Sequence, residues 1–356
     1  MINKRVENLQ KRLNKGQAAL ITADSNRFYL TGFRSSDGFV FITSDSADFY
    51  VDFRYYEMAK AQVTSCNVTM LEKRTDEIKN LLKTHAIDTL FVETRSVSMA
   101  DFNSYKCICD GVKVNETGFL DDVMCELRSV KSATEIQNIR KAQRLTDETF
   151  SYILSKIAAG RTEREIMLDM EFYMRKQGSE GVSFDFIVVS GKNSSLPHGV
   201  PTNKAVEPGD FITIDFGAVV NGYRSDMTRT VAVGTVSDEQ QRAYDTVLAA
   251  QNAAFDAILP GATCCDVDKA ARELIDSAGY RGCFGHGLGH SVGIDIHENP
   301  SFSPRCKTVL KEGMIMTVEP GIYLENQFGV RIEDMVCITS DGFENLTKSE
   351  KNLIIL

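Results

Sequence analysis

The chain has 356 residues, 43% of them hydrophobic and 25% charged, enough apolar material for two domains or one large α/β unit. Its net charge of −9 argues against nucleic acid or an anionic membrane surface as the main partner. No apolar run approaches the roughly 18 residues of a membrane-spanning helix.

The first stretch, MINKRVENLQKRLNKG, alternates charged and apolar residues and predicts an amphipathic helix over 2–15. It lacks the apolar centre of an export signal. A strand in AALITA follows, then the segment NRFYLTGF, a strand in GFVFIT closed by Ser44-Asp45-Ser46, and a strand in DFYVDFRY. Helix 75–84 and strand TLFVE (89–93) continue the alternation, which predicts a largely covered sheet. Asp121 to Lys131 holds no turn cluster, so composition only softly marks the boundary between domains 1–128 and 129–356. Nine cysteines without a C-x-x-C pair read as packing thiols in a reducing cytoplasm, not as disulfides or a zinc site.

From Ser132 two long helical patterns follow, SATEIQNIRKAQRLTDETFSYILSKIAAG and RTEREIMLDMEFYMRKQG. Ser132 with Glu135, and Thr162 with Glu165, fit capping boxes. A β-rich section comes next, then two more helices, then β again. The second part repeats itself. AAGRTEREIMLDMEFYMRKQG and LPGATCCDVDKAARELIDSAG each start a helix after a glycine (Gly160, Gly261) and end it at another (Gly178, Gly279). EPGDFITIDFG and KEGMIMTVEPG align Gly209 with Gly313, Asp215 with Glu319 and Gly217 with Gly321. Each is followed by an Arg-x-acid triplet, Arg224-Ser225-Asp226 and Arg331-Ile332-Glu333. Two such halves are expected to pack around a pseudo-twofold axis, with four acids at matching places.

A lone carboxylate in an apolar strand such as FITIDFG is costly unless it is paired or ligates a cation. Asn221-Gly222 predicts a two-residue hairpin that sets Val220 opposite Tyr223 and Asp215 opposite Thr228. Asp226 then lies opposite Gly217, diagonal to Asp215 on the same face. Taken singly, either acid could be salt-bridged to Arg224 or Arg229. The recurrence of Glu319 and Glu333 favours two divalent cations instead. Oxygen-rich ligation with one imidazole suits Mn²⁺, with Co²⁺ or Zn²⁺ also compatible. Three of the five histidines, His286, His290 and His297, fall in GHGLGHSVGIDIHENP. The interleaved glycines make a helical two-histidine motif improbable, and spacing alone does not choose among the three.

SSLPHG, DFGAVVNGYRSDMTRT, HGLGHSVGIDIHENP, TVEPGIY and GVRIEDMV together resemble the successive motifs of the metal-dependent pita-bread peptidases, in the aminopeptidase P and prolidase branch. The resemblance extends over nearly the whole chain. It implies an α+β architecture: an N-terminal creatinase-like α/β domain and a C-terminal pita-bread domain with a pseudo-twofold repeat. It implies that Asp215 chelates one metal, that His290 and Glu319 ligate the other, and that Asp226 and Glu333 bridge them. His198, His286 and His297 become non-ligand histidines lining the substrate site, with His198, His297 and Glu319 catalytic. Arg331, expected on the same strand face as Glu333, would orient the bridging carboxylates.

The implied activity is that of a cytoplasmic, homodimeric Xaa-Pro aminopeptidase acting on short peptides with proline second, its N-terminal domain capping the site. An Xaa-Pro dipeptidase is the near alternative. A metal-free creatinase-like hydrolase or a non-catalytic binding protein is the remote one, since those relatives have lost ligands that this chain keeps.

Overall fold

The computed structural model describes residues 2–356, and the chain divides into two compact units, Met1–Arg128 and Ser129–Leu356. The first contains α1 (Ile2–Gln10), β1 (Gln17–Ile21), α2 (Asp24–Thr31), β2 (Phe39–Thr43), β3 (Ala47–Val51), α3 (Phe53–Gln62), β4 (Asn67–Met70), α4 (Arg74–Thr84), β5 (Thr89–Val92), α5 (Met99–Ile108) and β6 (Lys113–Asn115). The strands form one mixed sheet in the order β4-β3-β2-β1-β5-β6. The run FVFIT of β2 is buried at every residue, as a strand covered on both faces requires.

Two local expectations fail here. The first helix stops at Gln10 instead of 15, because the Asn14 amide donates to Gln17 Oε1 and Gly16 (φ 84°) turns the chain into β1. DFYVDFRY is a strand only to Val51. The Asp52 carboxylate accepts from the Arg54 amide at 2.8 Å and caps α3, which outweighs the β preference of Phe53 and Tyr55. Helix α6 (Phe119–Ser129) runs through the unit boundary, which accounts for the missing turn signal there.

The second unit is built twice over. Its first half holds α7 (Ala133–Leu154), α8 (Glu163–Lys176), β7 (Ile187–Ser190), β8 (Phe211–Phe216), β9 (Val219–Val220), β10 (Tyr223–Arg224) and β11 (Met227–Ala232). The second holds α9 (Asp238–Ala257), α10 (Cys264–Ile275), β12 (Gly289–Ser291), β13 (Glu298–Phe302), β14 (Ile315–Val318), β15 (Gly321–Leu324), β16 (Phe328–Arg331), β17 (Asp334–Ile338) and β18 (Phe343–Asn345). Both expected capping boxes form, and α9 and α10 carry boxes of their own at Ser237 and Thr263.

Strand order β11-β8-β7 in one half matches β17-β14-β12 in the other, and the hairpins β9–β10 and β15–β16 occupy equivalent positions. The matched glycines share a backbone: Gly160 and Gly261 have φ of 90° and 85°, Gly178 and Gly279 of 104° and 96°, Gly209 and Gly313 of 94° and 86°. Only glycine takes such angles without strain.

Each half packs its helices on its own sheet. Ile153, Met170 and Met174 meet Ile212, Ile214 and Phe216 in the first; Val247, Val267 and Ala271 meet Met316, Val318 and Val336 in the second. Strand alternation then sends Thr213 and Asp215 to the opposite face of β8 from Ile212 and Ile214. The hairpin register is as the Asn-Gly turn implies, with Val220 opposite Tyr223 and Asp215 opposite Thr228. No helix among the described residues is long and apolar enough to cross a membrane.

Candidate metal centre

The matched hairpins of the second unit bring their acids to one buried place. Asp215 lies on β8, Asp226 just before β11, Glu319 just after β14 and Glu333 just before β17. His290, in the middle of β12, completes the group. Its Nε2 lies 3.5 Å from Asp226 Oδ2 and 3.5 Å from Glu319 Oε1. Asp226, His290 and Glu333 each offer a ligand atom within 4.8 Å of the other two. His290 Nδ1 donates to the Ser291 carbonyl at 3.2 Å, which leaves the Nε2 lone pair facing the acids.

The donor set suits a cation. Asp215 Oδ1 and Glu333 Oε1 are buried without a hydrogen-bond partner in the protein. Burial, then repulsion from Glu333 and Asp215, holds the Asp226 carboxyl well above the usual carboxylate range. Glu333 is raised likewise, by burial and by Glu319 and Asp215. Burial pushes Glu319 up to about 8. Burial and the neighbouring His297 push His290 down to about 4, so its imidazole is neutral at pH 7 and able to ligate. Acids this close cannot all ionise without positive charge among them.

Neither arginine of the first hairpin neutralises the cluster as a simple salt bridge to Asp215. Arg229 is taken up by Asp334 at 2.7 Å and by the Glu333 carbonyl at 2.6 Å. The counter-charge on Asp215 is Arg331, whose Nη2 donates to Oδ2 at 2.7 Å. This corrects the expected placement of Arg331. It ends β16, the chain breaks direction before Glu333, and its guanidinium reaches Glu333 only through a relay: Nε donates to Thr228 Oγ1 at 3.0 Å, and Thr228 Oγ1 donates to Glu333 Oε2 at 2.7 Å.

His198, His286 and His297 line the same cavity of about 1190 Å³. His198 and His297 are exposed to it, and the His297 ring meets the His290 ring edge-on with centroids 4.5 Å apart. His286 is different. Its Nδ1 donates to the Gly287 carbonyl at 2.8 Å, and its Nε2 accepts from the Tyr323 hydroxyl at 2.9 Å, which itself accepts from Arg331 Nη1 at 2.9 Å. Both ring nitrogens are engaged, so His286 supports Arg331 and offers substrate no free nitrogen. Tyr323 escaped the sequence reading, although it ends the quoted motif TVEPGIY and stands four residues after Glu319. Thr228 was placed opposite Asp215 by register, but nothing marked its hydroxyl as a relay.

Comparisons with known proteins identify the family. The profile of metallopeptidase family M24 matches residues 137–340, and that of the creatinase/prolidase N-terminal domain matches residues 5–130. The Xaa-Pro dipeptidase of Pyrococcus furiosus is 40% identical over 99% of this chain and 100% of its own length. A solved Xaa-Pro dipeptidase from Bacillus anthracis superposes with a TM-score of 0.96 at 39% identity, covering 100% of both chains. An X-Pro aminopeptidase from Thermotoga maritima gives a TM-score of 0.90 at 36% identity, covering 98% of this chain and 100% of that one. The chain therefore belongs to metallopeptidase family M24, with a creatinase/prolidase-type N-terminal domain followed in sequence by a pita-bread catalytic unit.

Proposed function

We propose that the protein is a dinuclear-metal Xaa-Pro dipeptidase, hydrolysing the bond between an N-terminal residue and a following proline. The observation that carries this reading is the carboxylate cluster around His290, four acids against the one guanidinium of Arg331, with Asp215 Oδ1 and Glu333 Oε1 left without partners. Asp215, Asp226, His290, Glu319 and Glu333 would hold two divalent ions, Mn²⁺ by donor type, with Co²⁺ or Zn²⁺ compatible. Bound there, such ions supply Lewis acidity to the scissile carbonyl and acidify water towards neutrality.

The chain's own groups do the rest. Glu319, ionised beside bound cations, takes the proton from the attacking water and returns it to the departing proline nitrogen. His297 and His198, exposed to the cavity, donate to the oxygen that becomes negative in the transition state. Arg331 fixes Asp215, and Tyr323 with His286 fixes Arg331.

The dipeptidase reading replaces the aminopeptidase expectation because relatives of that name match at 40% and 39% identity over the full chain. One observation favours the aminopeptidase as the second reading. The cavity of about 1190 Å³ exceeds the ~1,000 Å³ upper end of ordinary small-ligand pockets and has room for residues beyond proline. Assay of metal-loaded protein on Xaa-Pro and Xaa-Pro-Yaa peptides separates them. Cleavage confined to the dipeptides supports the proposal, and preference for the tripeptides supports the aminopeptidase. Inactivity on both with Mn²⁺, Co²⁺ and Zn²⁺ refutes both. Homodimerisation belongs to the same proposal and is read by light scattering.

A further inference from the structure

The excursion between His290 and His297 is held by charged groups that no step above uses. Lys131 Nζ donates to Ser291 Oγ at 2.6 Å and lies 3.3 Å from Glu298 Oε2. The two charged side chains are sealed from solvent, 1% and 6% exposed. Ser291 directly follows His290, and Glu298 directly follows His297. Glu298 Oε1 accepts from the amides of Ile294 and Asp295 at 3.0 and 3.1 Å. A Cβ on Gly293 would sit 2.6 Å from both carboxylate oxygens, so the glycine makes room for the carboxylate inside the curl of the loop. Arg224 grips the same curl, its Nε donating to the Ile294 carbonyl at 2.9 Å and its Nη1 to the Ser183 carbonyl.

His290 is fixed without this help. Its amide donates to Thr317 Oγ1 at 3.0 Å, and Ser291 pairs with Met316 in the sheet. The exposed His297 has no such anchorage, yet its ring is set edge-on against His290. Stabilising a loop alone does not call for a buried ion pair, since apolar residues of the same volume serve as well. Ser291 and Glu298 are ladder partners at a bulge that follows His290, and what the ion pair adds is a side-chain brace across that irregular step between the two histidines.

We propose that Lys131 and Glu298 are positioning residues that set His297 against His290, and through His297 set the turnover number. The activity arm of this inference rests on the proposed dipeptidase reading. The test uses the metal-loaded full chain with Lys131→Met, Glu298→Gln and the double substitution. It reads kcat and KM on an Xaa-Pro dipeptide, metal per chain, and the His297 ring ¹⁵N resonances, which are assignable because the chain has only five histidines. Either single substitution is expected to lower kcat about 10- to 100-fold with KM within about twofold. Metal content stays, and the His297 resonances move while those of His85 do not. The double variant, which leaves no buried charge unpaired, carries the measurement if a single variant fails to fold, and it loses no more activity than the singles. Wild-type kcat per folded, metal-loaded chain overturns the proposal, as does a fall in kcat that tracks metal loss. If the wild type is silent on Xaa-Pro peptides, the functional reading fails while the resonances still decide this one: unmoved His297 signals overturn it.

Discussion

Arg331 and Asp215 meet at 2.7 Å with side chains only 4% and 12% exposed, one from each half of the internal repeat. The contact makes the second half supply the counter-charge for an acid of the first. Arg331→Lys keeps the charge but cannot hold Asp215, Thr228 and Tyr323 together through one planar fork. Metal affinity is expected to weaken about 10- to 100-fold, measured by calorimetric titration of the metal-free protein. Unchanged affinity would mean that Asp215 is oriented without Arg331.

The two neighbouring histidines separate by role. His290→Ala removes the imidazole that faces Asp226 and Glu319 at 3.5 Å, and is expected to lose bound metal by elemental analysis. His297→Ala is expected to keep the metal and slow turnover about 10- to 1,000-fold, the range for a lost transition-state donor. Loss of metal from the His297 variant would reverse the assignment.

Removing the metal should weaken the fold as well as silence it. With no cation, Asp226 and Glu333 remain buried beside other acids. Divalent ion at about 100 times its dissociation constant is expected to restore about 2.7 kcal/mol. Scanning calorimetry with chelator and then with added Mn²⁺ reads the difference; coincident melting curves would count against a site in this cluster.

Gly217 is required by space. A Cβ there would stand 1.9 Å from the Ser225 carbonyl oxygen, on the residue before Asp226. Gly217→Ala is expected to destabilise the chain by about 1–3 kcal/mol, with urea melts as the measure. A variant of wild-type stability would show that the hairpin opens at this point without resistance.

Much of the site was legible because it is written in local rules. Asn221-Gly222 dictates a two-residue turn, and the turn dictates which residue faces Asp215. The repeat was legible because glycines forced to positive φ cannot be exchanged freely, so they persist at matching places. The Arg331–Asp215 contact and the Thr228 relay were not legible, since both join residues more than a hundred positions apart across the two halves. The choice of His290 needed more than spacing. It follows from β12, which aims the His290 ring at the acids, and from the bend before that strand, where His286 meets Tyr323. The DFYVDFRY misreading shows how one aspartate can redirect a β-rich string: Asp52 caps a helix, and the aromatic residues after it follow.

The division of the acids between the two halves has a consequence for the newly made chain. Asp215 and Asp226 come from the first half and His290, Glu319 and Glu333 from the second, so neither half alone contains the whole donor set. During synthesis the acids of the first half must wait for the second half before they can share a cation with it. The set is complete only when β11 and β17 have docked and the cross-half hydrogen bonds, Thr228 to Glu333 and Arg229 to Asp334, have closed.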